Sequence, residues 1–215
     1  MVSGLPENSF ARYDESPDED FYMQPRLVTH IDEGAIAAVT ELYRELFPDG
    51  GDIIDLMSSW VSHLPPEVRY GRVVGQGMNE AELAANPCLT ERLVQNLNAD
   101  PALPFEDASF DGAGMCVSVQ YLTRPVEVFR EVGRILRPGA PFVVTFSNRC
   151  FPTKAVVVWQ SLDDRGHMRL VQQYFVEAGN WTGAEAREAR RGGWRGDPLY
   201  GVIGRSRESR VDSES

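Results

Sequence analysis

Short apolar runs alternate with amphipathic segments through the middle of the chain, and this alternation constrains the fold most. Segment 33–47 shows helical spacing, because its apolar residues recur every three or four positions at Ile36, Val39, Tyr43 and Leu46. Further helices are predicted at 125–136, 153–162 and 167–178, with a helical turn at 80–85. Strands are predicted at 52–57, 72–76, 92–97, 110–118, 141–147 and 198–204, with 184–191 as an antiparallel partner of the last.

This order of elements predicts an α/β fold. Strands that alternate with helices form a parallel sheet with helices on both faces. We therefore expect a doubly wound sheet of about seven strands, mostly parallel, with an antiparallel strand near the C-terminus. Ligands of such sheets bind at the carboxyl ends of the strands, so the residues that follow each strand are the candidate site.

Composition narrows the classes of function. The chain has 215 residues, a formal net charge of -11 and three cysteines. A nucleic-acid binder needs a basic surface, so this balance argues against that class. Cys88, Cys116 and Cys150 cannot all pair and are not spaced like metal ligands, and His167 is far from them in sequence, so we expect no metal. A reducing, cytoplasmic compartment is expected, with neither a signal peptide nor a membrane segment.

Three regions differ in character. Residues 1–25 are acidic and turn-rich, yet contain Phe10, Tyr13, Phe21 and Tyr22, which disordered segments usually lack. We interpret them as an extension that docks on the domain, as a lid over the site; the alternative is a flexible leader. The domain itself is predicted at 26–205, and the polar segment 206–215 is predicted to be a flexible tail.

Two motifs at the centre of the chain resemble a known family. The sequence LPFEDASFD at 103–111 is followed by REVGRILRPG at 130–139, and DIIDL at 52–56 and YFVEAG at 174–179 are further matches. These residues resemble the class I S-adenosylmethionine-dependent methyltransferases, in particular the "type 11" subgroup that methylates small molecules. The resemblance implies a Rossmann-like fold, S-adenosylmethionine as cofactor, S-adenosylhomocysteine as product and no metal.

The loop after the first strand departs from that family. Family members carry an acidic residue and then a glycine-rich loop that contacts the methionine part of the cofactor. Asp55 matches the acid, but Met57 and Ser59 replace the glycines, with Ser58 between them. The resemblance still implies cofactor contacts by these residues, with Trp60 covering the pocket beside the substrate or packing in the core. A reshaped or lost pocket is the alternative.

The next two strand ends are also implied to contact the cofactor. The family's ribose-binding acid is replaced by Gly77, followed by Met78 beside the adenine and by Asn79. Glu80 could substitute for the acid only if the loop differs. After the third strand, Leu97 and Asn98 are placed near the adenine, although Asn98 could equally be a turn residue.

Candidates for the acceptor side follow the fourth and fifth strands. Ser118 is implied to contact the cofactor, and Gln120 and Tyr121 to orient an acceptor, with packing under the next helix as the alternative for Tyr121. Asn148 and Arg149 lie at the same edge, where Arg149 could bind an acidic substrate. Tyr22 is placed with them from the extension, and His63 or His30 could act as a base.

These features predict methyl transfer to a small-molecule acceptor by in-line displacement, which requires positioning and exclusion of water. The alternative is a non-catalytic or regulatory binding protein with a degraded cofactor pocket. A nucleic-acid methyltransferase is disfavoured by the charge and by the sequence Ser118-Val-Gln-Tyr121, which lacks an Asn/Asp-Pro-Pro-Tyr loop. We expect a monomer or homodimer without nucleic-acid or membrane partners.

Overall fold

The computed structural model describes residues 2–193 and 196–207. The helices are α1 (Asp18–Tyr22), α2 (Glu33–Leu46), α3 (Glu80–Ala85), α4 (Pro125–Ile135), α5 (Val157–Gln160) and α6 (Asp164–Ala178). The strands are β1 (Ile53–Leu56), β2 (Val73–Gly77), β3 (Glu91–Val94), β4 (Gly112–Cys116), β5 (Pro141–Phe146), β6 (Trp181–Arg190) and β7 (Leu199–Ser206).

The strands form one seven-stranded sheet in the order β3-β2-β1-β4-β5-β7-β6. The first five strands are parallel to one another, whereas β7 pairs antiparallel with both β5 and β6. The predicted doubly wound, mostly parallel sheet with a C-terminal antiparallel strand is therefore confirmed.

The two faces of the sheet bury separate hydrophobic clusters. Side chains of a strand alternate between faces, and Ile54 belongs to one cluster whereas Ile53 belongs to the other. Helices α4 and α6 cover the first cluster, and α2 covers the second. The approach of α2 is close because Gly114 lacks a Cβ, which would lie 2.7 Å from the hydroxyl oxygen of Tyr43.

Helix ends follow the capping residues of the sequence. The side chains of Asp32, Asn79 and Asp163 accept hydrogen bonds from amides in the first turns of α2, α3 and α6. Helix α4 begins with Pro125, which needs no helical donor there. Helix α6 ends at Gly179, whose φ of 83° is the left-handed conformation that glycine adopts without strain.

Several predicted elements are shorter in the structure; the predicted strand 110–118, for example, is reduced to β4. The predicted strand 92–97 ends at Val94, because the amides of Ala99 and Asp100 both donate to the carbonyl of Asn96 and form a turn. The predicted helix 153–162 is reduced to α5. The amides of Val157 and Val158 donate instead to the carbonyls of Ala11 and Ser9 in the N-terminal extension.

The C-terminal strand is longer than predicted. Ser206, which we assigned to a flexible tail, is the last residue of β7, and its amide donates to the carbonyl of Ala140 at 3.1 Å. The rest of the predicted tail, residues 208–215, lies outside the described residues.

The N-terminal extension packs on the domain along its length. Val2 is buried in the cluster under α6, and the ring of Phe10 lies 6.2 Å from that of Tyr174. The ammonium group of Lys154, the only lysine, is fully buried and donates to the carbonyl of Ser16 at 2.7 Å. It also lies 3.4 Å from the carboxylate of Asp18, which pairs with Arg12 at 2.6 Å. These ion pairs attach the extension to the segment after β5.

Candidate active site

A cavity of about 310 Å³ opens at the carboxyl ends of the parallel strands. Residues that follow each of the five parallel strands line it, as the topology predicts, and the N-terminal extension forms part of its wall. The extension contributes Asp18 and Tyr22 to this wall, and Arg26 and residues 28–31, which follow the extension, continue it.

Asp55, near the end of β1, is a buried acid of the cavity. Its carboxylate accepts a hydrogen bond from the Ser58 hydroxyl at 2.6 Å. Burial raises the pKa of Asp55 to about 6, although the hydroxyls of Ser58 and Ser62 lower it. The carboxylate is therefore ionised at neutral pH, and its buried charge lowers the stability of the fold. A cationic ligand would reduce this loss of stability.

The loop after β1 lies against β2. The Met57 amide donates to the side-chain carbonyl of Gln76 at 3.0 Å, and the Ser58 amide donates to the Gln76 backbone carbonyl at 2.7 Å. Met57 has a φ of 52°, a conformation that glycine adopts more easily. The side chain of Gln76 also donates to the carbonyl of Gln95, so it joins the loops after β1 and β3.

This path of the loop explains why position 77 is glycine. A Cβ at Gly77 would lie 2.4 Å from the carbonyl oxygen of Ser58, closer than the two atoms can approach. An acidic side chain at position 77 is thus incompatible with the loop. The two departures from the family pattern, the substituted glycines after β1 and the missing acid after β2, are structurally linked.

Glu82 of α3 is a cavity residue that the sequence analysis missed. Its carboxylate accepts hydrogen bonds from the Ser59 hydroxyl at 2.5 Å and from the Arg26 amide at 2.6 Å. The spacing of Asn79 and Glu82 predicts a capping box, in which the glutamate would bind the Asn79 amide. Glu82 instead faces the cavity, whereas Glu80, the substitute acid we considered, is exposed and outside the cavity lining.

Asn79 and Asn98 connect the cavity to the extension. Asn79 caps α3 and donates to the carbonyl of Tyr22 at 2.9 Å. The amide group of Asn98 donates to Asp18 and to the Tyr121 carbonyl, each at 3.0 Å, and its oxygen accepts from the Thr123 amide. Both side chains line the cavity, together with Met78 and the buried Leu97.

The loop after β4 holds an unpartnered hydroxyl. Ser118 is buried, lines the cavity, and its hydroxyl makes no hydrogen bond within the described residues. Nearby, the Tyr121 hydroxyl accepts from the Phe151 amide at 2.8 Å, and burial raises the pKa of Tyr121 to about 12. Gln120 is placed differently from our prediction: it is buried outside the cavity lining, and its amide donates to the carbonyl of Val117.

Strained backbone is concentrated at the cavity. Four described non-glycine residues have positive φ, and three of them, Met57, His63 and Val117, line the cavity. Positive φ is least favourable for a β-branched residue such as Val117, whose φ is 44°. Such conformations persist where the surrounding structure imposes them, often at functional sites.

The histidines of the cavity are neutral at pH 7. Burial lowers the pKa of His63 and, despite the counteracting charge of Glu82, that of His30. The His30 ring lies 5.3 Å from the Phe151 ring. Both imidazoles line the cavity and can accept a proton.

The segment after β5 contributes one of its two predicted residues. Arg149 lines the cavity, and its guanidinium donates to the Asp197 carboxylate at 2.8 Å. Asn148 is exposed and lies outside the cavity lining. Tyr22 and Trp60 line the cavity as predicted, and the Trp60 indole donates to the Val28 carbonyl at 3.0 Å.

Comparison with known families places this fold and cavity. The family model described as "Methyltransferase domain" matches residues 60–144, from the loop after β1 through β4 into β5. Over these residues the chain is similar to that methyltransferase domain family. The match to this methyltransferase model begins after Asp55 and the substituted loop, consistent with their divergence.

Two curated proteins match shorter segments of the chain. The sterol 4-C-methyltransferase strm-1 of Caenorhabditis elegans is 34% identical over 70 residues, which is 31% of this chain and 21% of that protein. The biotin biosynthesis bifunctional protein BioHC of Teredinibacter turnerae is 29% identical over 80 residues, 37% of this chain. The chain spans only 14% of the length of BioHC.

The methyltransferase fold extends over most of the chain. An S-adenosylmethionine-dependent methyltransferase from Mesorhizobium loti superposes with a TM-score of 0.54 at 17% sequence identity. The match covers 78% of this chain and 97% of the other.

Two kinds of feature are absent from residues 2–193 and 196–207. No helix there is long and apolar enough to cross a membrane. No group of three or more His, Cys, Asp or Glu side chains there is arranged to bind a metal ion. The three cysteines are unpaired in these residues.

Proposed function

We propose that this protein is an S-adenosylmethionine-dependent methyltransferase that acts on a small-molecule acceptor. The observation that carries this proposal is the cavity built from the residues after all five parallel strands. Its volume of about 310 Å³ lies at the lower end of the range of about 300–1,000 Å³ that is typical of small-molecule sites.

The donor set of the cavity fits the cofactor. S-adenosylmethionine carries an ammonium and a sulfonium, which the carboxylates of Asp55 and Glu82 complement. The unpartnered hydroxyl of Ser118 can be satisfied by a polar group of the ligand. We propose that these residues hold the cofactor with the other predicted residues of this region, Met57, Ser58, Ser59, Gly77, Met78, Asn79, Leu97 and Asn98.

The chain's own residues would position the acceptor and exclude water. The bound cofactor supplies an electrophilic methyl group on a sulfonium. Tyr121 stays protonated at neutral pH, so its hydroxyl can donate to an acceptor oxygen or nitrogen. The neutral imidazoles of His30 and His63 can remove a proton when the acceptor carries one. The extension, residues 1–25, acts as the lid that excludes water, through Asp18 and Tyr22 in the cavity wall.

Several properties of the whole protein belong to the same proposal. We propose that it works in the cytoplasm as a monomer or homodimer, without a metal and without nucleic-acid or membrane partners. The net charge of -11 and the three unpaired cysteines support these expectations.

A second candidate function is a non-catalytic binding protein. It is favoured by the loop after β1, because Gln76 occupies the amides of Met57 and Ser58, and by the absence of an acid at Gly77. These features remove polar contacts that the family uses for the methionine and ribose parts of the cofactor.

Calorimetric titration with S-adenosylmethionine and S-adenosylhomocysteine tests the proposal. We expect micromolar binding, about -8 kcal/mol, that weakens in Ser118→Ala. Ser161→Ala, which removes an exposed hydroxyl outside the cavity lining, is the matched control. Absence of binding up to millimolar concentration would reject the methyltransferase. Binding without transfer of labelled methyl to any of a broad set of small-molecule acceptors would favour the non-catalytic candidate.

A further inference from the structure

Arg26 bridges the two sides of the cavity. Its backbone amide is bound by Glu82 at 2.6 Å, beside the loops after β1 and β2. Its guanidinium carbon lies 4.6 Å from the centre of the Phe21 ring and 5.5 Å from that of Phe151, after β5. The side chain is half-buried, so its charge faces the part of the cavity where the fold brings the acceptor-side loops together.

The charge of Arg26 has no ion-pair partner among the described residues. The guanidinium donates one hydrogen bond, to the Phe21 carbonyl at 2.9 Å, and has five N–H groups in total. The other arginine of the cavity, Arg149, already pairs with Asp197. The cavity acid Asp18 is likewise neutralised, since it pairs with Arg12 and lies beside Lys154.

Flat aromatic surfaces adjoin this guanidinium. Tyr22, Tyr121 and Phe151 line the cavity, and the rings of Tyr121 and Phe151 lie 6.0 Å apart at 30°. A half-buried cation between aromatic walls is matched by a ligand with one anionic group on a planar apolar body. The guanidinium carries one positive charge, which a single carboxylate neutralises, and its planar fork matches the two carboxylate oxygens.

We propose that the acceptor is a small aromatic carboxylate. Arg26 binds the carboxylate, and Tyr22, Tyr121 and Phe151 pack against the ring. This inference rests on the proposed methyltransferase function and specifies its substrate class. It also moves the anion-binding role from Arg149, where the sequence placed it, to Arg26.

The test compares acids with their amides, which have similar shapes but no charge. Protein saturated with S-adenosylhomocysteine is titrated calorimetrically with benzoate and benzamide, cinnamate and cinnamamide, and indole-3-acetate and indole-3-acetamide. We expect at least one acid to bind tenfold or more tightly than its amide. Arg26→Gln should abolish that preference. Arg169→Gln, which removes the same charge from an exposed position of α6, should retain it.

Three results would overturn the inference: no acid preferred over its amide, a preference that survives in Arg26→Gln, or a Gln variant with weakened S-adenosylhomocysteine binding. The last would assign Arg26 to the cofactor. If the Gln variant does not fold, Arg26→Lys replaces it, and we expect a reduced preference because a lysine cannot form a bidentate pair.

Failure of the proposed function gives a different result. Wild-type protein would then either not bind S-adenosylhomocysteine, or bind it without transferring methyl from S-adenosylmethionine to any acceptor. The same acid and amide titrations on ligand-free protein would still decide whether Arg26 selects a carboxylate.

Discussion

Replacing Asp55 by asparagine should stabilise the fold at pH 8 and have little effect at pH 4. The carboxyl is buried, and its pKa rises from 3.8 to about 6, chiefly through desolvation. The gap between these values corresponds to about 3 kcal/mol, at about 1.4 kcal/mol for each pH unit. Relaxation around a buried charge reduces such figures, so we expect a measured effect of about 1–3 kcal/mol.

The sign follows from the protons bound in each state. Between about pH 4 and pH 6 the folded protein keeps a proton on Asp55 that the unfolded chain has lost. The contribution of Asp55 to stability is therefore fully present below about pH 4 and lost as the pH rises through about 6. Asparagine does not titrate, so the free energy of unfolding of the variant minus that of wild type should increase over this interval.

Urea unfolding of both proteins at pH 4, 5, 6, 7 and 8 measures this difference. Asp49→Asn, on the exposed turn after α2, reports the effect of removing a surface carboxylate. A difference between Asp55→Asn and wild type that stays constant with pH would refute the reasoning. Under the proposed function, S-adenosylmethionine binding should also strengthen as the pH rises through about 6 in wild type, but not in the variant.

Three further substitutions test other parts of the structure. Gly77→Asp should destabilise the protein by about 1–3 kcal/mol in urea unfolding, because its Cβ would overlap the loop after β1. Ser118→Ala should change the thermal unfolding free energy by less than about 0.5 kcal/mol, because the hydroxyl has no partner to lose. Lys154→Met should lower the free energy of unfolding by about 3–5 kcal/mol, because it leaves Asp18 with one fewer cation. Hydrogen exchange at the Asp14 amide should then be faster than in wild type. Lys154→Arg should restore much of the protection of this amide from exchange.

Local patterns predicted the regular elements well. Apolar spacing placed α2 at 33–47 against the observed Glu33–Leu46, and the turn at 80–85 coincides with α3. The shortened α5 shows the limit of this reasoning. The amides of its first residues bind the N-terminal extension, about 145 positions away in the sequence. No local sequence pattern predicts that these amides bind the extension rather than continue a helix.

Several residues that the family resemblance implies line the cavity. Asp55 and Ser118 are among them, because the ends of β1 and β4 converge in any sheet of this topology. The resemblance also proposed Gln120 and Asn148, which point away from the cavity although they follow the right strands. The direction in which a loop side chain points depends on the contacts that the loop makes. These contacts involve residues far apart in the sequence, so local sequence patterns do not predict them.

The sequence by itself determined most of the helices and strands, their order and the edge of the sheet where the cavity lies. These depend on periodicity and on capping residues, which act over a few positions. Only the tertiary structure decided that Ser58 would occupy the space beside Gly77, that Glu82 would face the cavity, and that Arg26 would reach it unpaired. Those features arise where segments far apart in the chain approach within a few ångströms, and there packing and charge, rather than local propensity, determine the arrangement.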